Sequence, residues 1–335
     1  MQMAGIRKSL FVTEPGSVVD AEDGRLRVFR NGCVVAEGPL NLCGSLTLFG
    51  GVDLKRRAAD ALCRAGACVH FVSWAGEPVG TLWPNRDRGA AHRMVQAVAC
   101  SDADRRLELA DWLVRRKIAS HRHTLAQRNW ESNLPSVDAA IARLDRLQCA
   151  PPAHDLKSVR ALEARAARTN FEAVNALLPA EFRFQSRTRR PPADPFNALL
   201  GLGYTVATNE MLRMIRAKGL DPYMGFLHET YRNNPALACD LVEPFRSPWV
   251  ERWAVNMVRL RVVALEDFEA DERGGVRLAQ RADLRKVLGH LSRMLVGRLP
   301  RGLGGRHSSC ETAMSSLVTS LARAFAEGGV PDWEG

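Results

Sequence analysis

The sequence predicts an α+β protein, with a small β-rich domain over residues 1–90 and a larger all-α domain over 91–335. Short alternating apolar runs before residue 88 are separated by Asp23-Gly24 and Asn31-Gly32, which are strong hairpin signals. Near Gly89 the apolar spacing changes to a period of about 3.6 residues and keeps it. A length of 335 residues is sufficient for two domains with separate cores.

The first domain is predicted to be β-sandwich-like with one helix. Leu26 and Val28 alternate as strand residues do, and the run SLTLFG over 45–50 indicates a further strand. The stretch LKRRAADALCRAG is amphipathic and ends at Gly66, as expected of a helix. Asp53 and His70 are isolated from other reactive residues, so we expect both to be structural.

The second domain is predicted to consist of amphipathic helices. The periodicity places them at 104–130, 137–147, 154–178, 197–218, in a stretch beyond 246, at 276–299 and at 311–325. A short helix is also expected after Asn234-Pro235, with the asparagine as its cap.

Composition narrows the class of protein. The formal net charge of +10 favours a polyanionic partner, nucleic acid first and an anionic membrane second. No apolar run is long enough to span a membrane, and the first residues lack a secretory apolar segment. The eight cysteines form no CxxC pair, which is typical of reduced thiols and predicts a cytoplasmic protein.

Glu163 has an unusual position in the helix predicted over 154–178. One face of that helix is apolar, and Glu163 falls at its centre; the face comprises Leu156, Val159, Ala166, Ala167, Val174 and Leu177. A buried glutamate requires a partner. The helix alone leaves two explanations equally open, a buried pair with Arg160 or another arginine, or a functional acid.

A second acidic group lies in the stretch GFLHETYRNNPALACDLVEPFR over 225–246. It contains His228, then Asp240 and Glu243 three residues apart on one helix face, and Arg246. Carboxylates on a mostly apolar helix need a divalent metal or an arginine beside them. Together with Glu163, these residues have the oxygen-rich composition that suits Mg²⁺ or Mn²⁺ better than structural zinc.

A basic segment precedes the helix at 197–218. Its arginines stand before the double proline Pro191-Pro192, which favours an extended backbone; they are Arg183, Arg187, Arg189 and Arg190. Such a segment can contact phosphates, although a solvated loop is slightly favoured by charge alone.

Several segments together resemble the CRISPR adaptation integrase family, also called CRISPR-associated endonuclease one. They are VRALEARAAR, RTRRPPADPFNALLGLGY, GLDPYMGFLHE and PALACDLVEPFR in this order, with VTEPGSVVDAEDGRLRVFRNG and VHFVSWAGEPVGTL in the β-rich part. The resemblance extends from about residue 10 to about residue 290. Ala164 stands where the family usually has glycine, and alanine suits a helix better.

The resemblance implies a metal-dependent DNA endonuclease and integrase that inserts short DNA fragments, the spacers of antiviral defence, into a CRISPR array. The family's metal ligands fall on Glu163, His228 and Glu243, and Asp240 matches a further acidic position that is a candidate ligand. DNA contacts are expected from Arg187, Arg189, Arg190 and Arg246. The implied cofactor is Mg²⁺ or Mn²⁺. The implied partners are double-stranded DNA, a second copy bound through the β-domain, and a small companion adaptation protein.

Two other functions compete with this expectation. A non-catalytic, basic, helical DNA-binding protein would use the same acids in structural ion pairs, and would bind DNA in a salt-sensitive manner. A metallohydrolase for small phosphoesters is disfavoured because the sequence has no Gly-rich phosphate loop and its arginines are widely spread. A serine hydrolase has no support, because GxSxG is absent.

Overall fold

A computed structural model describes residues 8–85, 89–189, 191–229, 234–279, 283–297 and 309–333. The chain divides into two compact units. The first comprises residues 1–87 and 283–289, and the second comprises residues 88–282 and 290–335. The predicted class is confirmed, because a strand-rich region precedes a helical one.

The first unit contains two four-stranded sheets and, among its described residues, one complete α-helix. One sheet has the order β1 (Lys8–Val12), β5 (Cys43–Leu48), β7 (Cys68–Val72), β8 (Pro78–Leu82). The other has the order β4 (Cys33–Pro39), β3 (Arg25–Arg30), β2 (Ser17–Glu22), β6 (Asp53–Leu54). Helix α1 (Arg56–Ala65) ends at Gly66, as predicted.

The two hairpin signals in the sequence lie at tight turns. Asp23 and Gly24 have φ values of 49° and 71° between β2 and β3, and Asn31 and Gly32 have 50° and 76° between β3 and β4. Positive φ at both central residues characterises the hairpin turn that these dipeptides favour. The core beneath the strands is apolar; it includes Val19, Leu26, Leu46, Leu48, Leu62 and Val69.

The second unit is mainly helical. Its helices are α2 (Ala90–Ser101), α3 (Ala103–Ser132), α4 (Pro135–Gln148), α5 (Leu156–Ala176), α6 (Pro195–Ala217), α7 (Ala236–Phe245), α8 (Arg252–Arg259) and α10 (Cys310–Glu327). Helix α9 (Leu284–Val296) begins in the first unit and ends in the second. No helix of the described chain is long and apolar enough to cross a membrane.

Three helix starts are explained by aspartate caps. Asp102, Asp155 and Asp194 accept hydrogen bonds from the backbone N–H three residues ahead, and so begin α3, α5 and α6. Such caps satisfy an N–H group that the helix itself leaves without a partner. Between α7 and α8, residues Arg246–Glu251 form a π-helical turn. Pro248 lies in this turn and cannot donate a backbone hydrogen bond, which favours a departure from the regular α-helical pattern there.

Two local predictions were wrong. Pro235 rather than Asn234 occupies the cap position of α7, and the Asn234 Oδ1 atom accepts from the Cys239 thiol instead. The helix expected from residue 276 begins only at Leu284, because Val276–Leu278 (β10) pairs with Phe268–Ala270 (β9) in an antiparallel hairpin. Alternating short strands around a Gly-containing turn outweighed the helical periodicity there.

Candidate active site

Three separated parts of the second unit bring their acids and imidazole together. Glu163 lies on α5, Glu243 lies on α7, and His228 lies in the segment before α7. The Glu243 side chain is 2% exposed, whereas those of Glu163 and His228 are 27% and 39% exposed. The site is therefore built from one buried carboxylate and two groups that open toward solvent.

Asp240 organises the segment that carries His228. Its Oδ2 atom accepts from the backbone N–H groups of Phe226 at 2.8 Å and Leu227 at 3.0 Å. Its Oδ1 atom accepts from the backbone N–H of His228 at 3.0 Å and lies 2.6 Å from the Nδ1 atom of the same residue. One fully buried carboxylate thus fixes three consecutive backbone amides and one side of the imidazole ring.

This arrangement leaves the Nε2 atom of His228 facing Glu243, at 4.0 Å from Oε1. Burial lowers the pKa of His228, but the hydrogen bond and charge of Asp240 outweigh it, and the net shift of the pKa is upward. An imidazole held at one nitrogen by a carboxylate is a typical metal ligand through the other nitrogen.

Glycine is required at position 225 by close packing. A Cβ atom there would lie 2.7 Å from Oδ2 of Asp240 and 2.9 Å from Cβ of Ala236. Any larger residue would push the segment away from the carboxylate that holds it. Gly225 therefore permits the contact between Asp240 and the backbone that positions His228.

Two arginines hold the carbonyl side of the same segment. Arg106 on α3 donates to the Phe226 carbonyl at 2.9 Å. Arg160 on α5 donates to the Leu227 carbonyl through Nε at 3.1 Å and Nη2 at 3.0 Å. The sequence suggested Arg160 as a partner of Glu163, but in the structure its ion pair is with Glu229.

Lys117 on α3 is the cation that meets both glutamates. Its ammonium group donates to Oε1 of Glu163 and lies 2.6 Å from Oε2 of Glu243. The second contact is an ion pair without the alignment of a hydrogen bond. The Lys117 side chain is only 2% exposed. A single buried ammonium group therefore bridges the two predicted metal-ligating acids.

Arg246 supplies a second positive charge to Glu243. Its Nη2 atom lies 2.9 Å from Oε1 of Glu243, three residues earlier in the chain. Burial raises the pKa of Glu243, but Arg246 and Lys117 outweigh this effect and lower it to about 2. Glu243 is therefore ionised at neutral pH although it is buried.

Behind Arg246 lies a buried polar network. The Arg246 guanidinium is 4.9 Å from the centre of the Tyr204 ring, and Arg187 is 5.3 Å from the same ring. The Tyr204 hydroxyl donates to Glu251 at 2.9 Å, and Asn170 donates to the other Glu251 oxygen at 2.8 Å. Burial raises the pKa of Tyr204 well above its usual value, so the hydroxyl keeps its proton.

The four arginines expected to contact DNA differ in their surroundings. Arg246 is 16% exposed and pairs with Glu243, and Arg187 donates to Asn197 at 2.8 Å. Arg189 is exposed. Arg190 lies outside the described residues. Of the three described arginines, only Arg189 presents an exposed side chain to a phosphate.

Glu163 lies within the buried arc of α5 but toward its edge, which corrects the expectation that it occupies the centre. The buried residues of this helix are Val159, Leu162, Ala166, Thr169, Asn170, Ala173 and Val174, whereas Ala164 is exposed. This position lets the carboxylate reach Lys117 inside the unit while part of the side chain faces solvent.

The residues that could hold a cation are Glu163, Glu243 and His228 through Nε2. In the part of the chain that the structure describes, no three His, Cys, Asp or Glu side chains converge as a ready metal site. The two carboxylates are instead bridged by the Lys117 ammonium group. Both Asp240 oxygens are already engaged by the backbone and His228, so Asp240 holds the His228 ring in place.

Sequence reasoning missed Lys117, Arg106 and the Tyr204–Glu251 pair. Lys117 follows Arg115 and Arg116, and a run of three basic residues suggests a solvated face. The available signal was its spacing, four residues after Leu113 and directly before Ile118, both of which are fully buried.

The fold and the site together define the class of protein: a strand-rich unit followed by a basic helical unit with two glutamates and a histidine at one point. The family model of CRISPR associated protein Cas1 matches residues 10–293. The chain therefore belongs to the Cas1 family, as its motifs suggested.

A curated relative and two solved structures show the extent of the similarity. CRISPR-associated endonuclease Cas1 1 of Thermus thermophilus is 33% identical over 304 residues, covering 91% of this chain and 92% of the relative. A chain of a Cas6-RT-Cas1–Cas2 complex aligns with a TM-score of 0.80 at 24% identity, covering 97% of this chain and 36% of that chain. A casposase bound to integration product aligns with a TM-score of 0.79 at 22% identity, covering 96% of this chain and 92% of that chain.

Proposed function

We propose that this protein is a metal-dependent DNA endonuclease and integrase that inserts short DNA fragments into a CRISPR array. The observation that carries the proposal is that three separated segments place Glu163 and Glu243 on the same Lys117 ammonium group and the Nε2 atom of His228 4.0 Å from Glu243. Membership of a family that includes an endonuclease, and a fold shared with a casposase bound to integration product, support it.

The donor set fits a hard divalent cation. Two carboxylates and one imidazole nitrogen are present, and Asp240 holds the imidazole so that Nε2 faces Glu243. Lys117 shows that the space between the acids accepts positive charge. Glu163, His228 and Glu243 would hold Mg²⁺ or Mn²⁺, which when bound polarises a phosphodiester and stabilises a leaving oxygen.

In the proposed reaction the 3′-hydroxyl oxygen of the incoming DNA attacks a phosphorus atom of the repeat. A new P–O bond forms, the old P–O3′ bond breaks, and the hydroxyl proton passes through solvent to the leaving 3′ oxygen. Arg246, which contacts Glu243 and the Tyr204 ring, keeps a positive charge beside the site. Asp240 and Gly225 keep the His228 ring in position, with Nε2 facing Glu243.

The protein's charge supports DNA as the substrate. A formal net charge of +10 attracts a polyanion, and its effect falls with added salt. Exposed Arg189 is the described arginine that we assign to phosphate contact, together with Arg190. We assign Arg187 and Arg246 to positioning roles, because both are engaged by neighbouring side chains.

We further propose a homodimer through strand β4. This strand is an edge of its sheet and is exposed along nearly its whole length, with Val34 49% and Val35 50% exposed. An apolar exposed edge is a ready template for pairing with another strand. Light scattering tests this, since Val35→Lys should shift a dimer toward the monomer.

We also propose a small companion protein as a partner, because the chain resembles a chain of a Cas6-RT-Cas1–Cas2 complex.

One observation favours a second function, a non-catalytic DNA-binding protein. Lys117 pairs with both glutamates, as the structural ion pairs of that hypothesis require. The two functions differ in an integration assay, because the second predicts salt-sensitive DNA binding without Mn²⁺-dependent strand transfer.

The test is strand transfer of a fluorescent DNA duplex with Mn²⁺, with and without the companion protein. Glu163→Ala, His228→Ala and Glu243→Ala should each abolish transfer, while circular dichroism shows an unchanged fold. Asp20→Asn is the matched control, because Asp20 is a buried acid of the other unit that pairs with Arg57. Transfer at the wild-type rate by any of the three alanine variants would refute the site.

A further inference from the structure

A buried histidine lies one helical turn beyond Lys117. His121 is 1% exposed, and neither of its ring nitrogens has a hydrogen-bond partner among the residues that the structure describes. It follows Lys117 by four residues on α3, so the two side chains lie on the same face of that helix. Buried imidazole nitrogens are normally satisfied, and an exception needs an explanation.

The charge on the candidate metal ligands also needs an explanation. In the structure Glu243 already has two cations, Lys117 and Arg246, and Glu163 has Lys117. A divalent cation held by the two glutamates and His228 would lie close to the Lys117 ammonium group, because both would bind the same two carboxylates. Two cations on the same pair of carboxylates repel each other, and the repulsion is least screened beside Glu243, whose side chain is 2% exposed.

We propose that Lys117 is the resident cation of the metal-free site, and that metal binding moves its ammonium group from the glutamates to the unpartnered ring of His121. Lys117 and His121 are then positioning residues, since they act through Glu163 and Glu243. This inference rests on the proposed function, because it assumes that the glutamates take a metal.

The chemistry of His121 suits an acceptor of this kind. Burial, followed by the charge of Lys117, holds the pKa of His121 well below its usual value. The ring is therefore neutral and offers one nitrogen lone pair to an ammonium donor. A lysine side chain has enough rotatable bonds to reach a residue four positions ahead on a helix. If the Lys117 ammonium group were displaced without such an acceptor, it would be a buried, unpaired charge, which is unfavourable in free energy.

The experiment is a double-mutant cycle on Mn²⁺ affinity, measured calorimetrically on the full chain without DNA. Lys117→Met should bind Mn²⁺ at least about tenfold more tightly than wild type, because no cation has to be displaced. His121→Leu should bind it about tenfold more weakly, because the displaced ammonium loses a charge-assisted hydrogen bond. In the double variant the His121 effect should vanish, since no ammonium remains to be accepted.

Matched controls come from the same helices. Lys157→Met removes an exposed lysine from α5, and His123→Leu removes a histidine of α3 that pairs with Gln127. Both should leave Mn²⁺ affinity unchanged. His121→Gln retains a carbonyl acceptor and should restore affinity. If Lys117→Met fails to fold by circular dichroism, Lys117→Gln replaces it.

The proposal fails if Lys117→Met binds Mn²⁺ no more tightly than wild type. It also fails if His121→Leu weakens binding equally with and without Lys117. Wild-type strand transfer separates this failure from that of the proposed function. If the wild type transfers strands but the effects of the two substitutions on Mn²⁺ affinity are additive, only the proposed movement of Lys117 is refuted. If the wild type neither binds Mn²⁺ nor transfers DNA, the proposed function is refuted as well.

Discussion

Each unit of the protein contains a buried carboxylate paired with two cations, and the two groups differ in where the cations lie. In the strand-rich unit Asp20 has a side chain 7% exposed, while its partners Arg57 and Lys55 are 57% and 58% exposed. In the helical unit Glu243 is 2% exposed, and its partner Lys117 is equally buried.

The difference supports our proposal that Asp20 is a structural acid and Glu243 a functional one. The partners of Asp20 reach it from solvent, so each keeps most of its hydration and contributes modestly. Lys117 has given up its hydration, and its ammonium group is stable there only while the glutamates are ionised and close. The buried ammonium group between two acids is therefore the observation on which our proposal of a cation site depends.

The largest expected contrast is in strand transfer. Glu243→Gln keeps the volume of the side chain but removes the charge that Arg246 and Lys117 share, so transfer should fall about 10³-fold or more. Asp20→Asn should leave the rate within about twofold, because that acid belongs to the other unit. A gel assay of integration products with Mn²⁺ measures both. Equal losses in the two variants would remove the distinction between the acids.

The next contrast is in the stability of the metal-free protein. Lys117→Met leaves two acids with one fewer buried cation, so the free energy of unfolding should fall by about 3 kcal/mol. Lys55→Met removes an exposed partner of Asp20 and should change the free energy of unfolding little. Urea unfolding followed by circular dichroism in EDTA compares the two. Saturating Mn²⁺ should restore much of the loss in Lys117→Met only.

The sequence predicted much of the fold because local rules determine it. Asp23-Gly24 and Asn31-Gly32 specify tight turns that the structure shows, and Asp155 begins α5 as an N-cap. The helix expected from residue 276 was wrong because Val276 pairs with a strand that periodicity could not identify. Pairing between strands depends on neighbours in space, and a single helical pattern carries no information about them.

The same limit applies to the site. Glu163, His228 and Glu243 were identified from helix faces and motifs, and the structure brings them together. Lys117 was missed because its partners are 46 and 126 residues away, and nothing in its local run of basic residues distinguishes it. Arg246 was assigned to DNA because a sequence cannot show that Glu243 already holds it.

A smaller effect is expected from the carboxylate that positions rather than binds. Asp240→Asn keeps an oxygen for some of the backbone amides but loses the charge that holds the His228 ring. Mn²⁺ affinity should fall about 10-fold to 100-fold, the usual cost of removing such a partner. Calorimetry on Asp240→Asn and Asp20→Asn tests this, because the second variant should titrate as wild type does. A complete loss of binding in Asp240→Asn would instead make Asp240 a ligand.

The smallest expected effect is on acid stability, and both acids contribute to it. The cations beside Glu243 outweigh its burial and lower its pKa from 4.5 to about 2, so its folded-state pKa is below the unfolded value. Its stabilising contribution is therefore present above pH 4.5 and is lost as the pH falls toward 2. The loss should be roughly 1 kcal/mol per pH unit within that window. The pKa of Asp20 is also lowered, chiefly by its hydrogen bond to Arg57, so the strand-rich unit should lose stability on acidification too.

Hydrogen exchange resolved by peptide measures the stability of each unit separately. Glu243→Gln should reduce the pH dependence of stability only in the helical unit, and Asp20→Asn should reduce it only in the strand-rich unit. If either variant reduced the pH dependence of stability in both units, the two acids would not stabilise separate units. The two clusters would then differ only in how exposed their cations are.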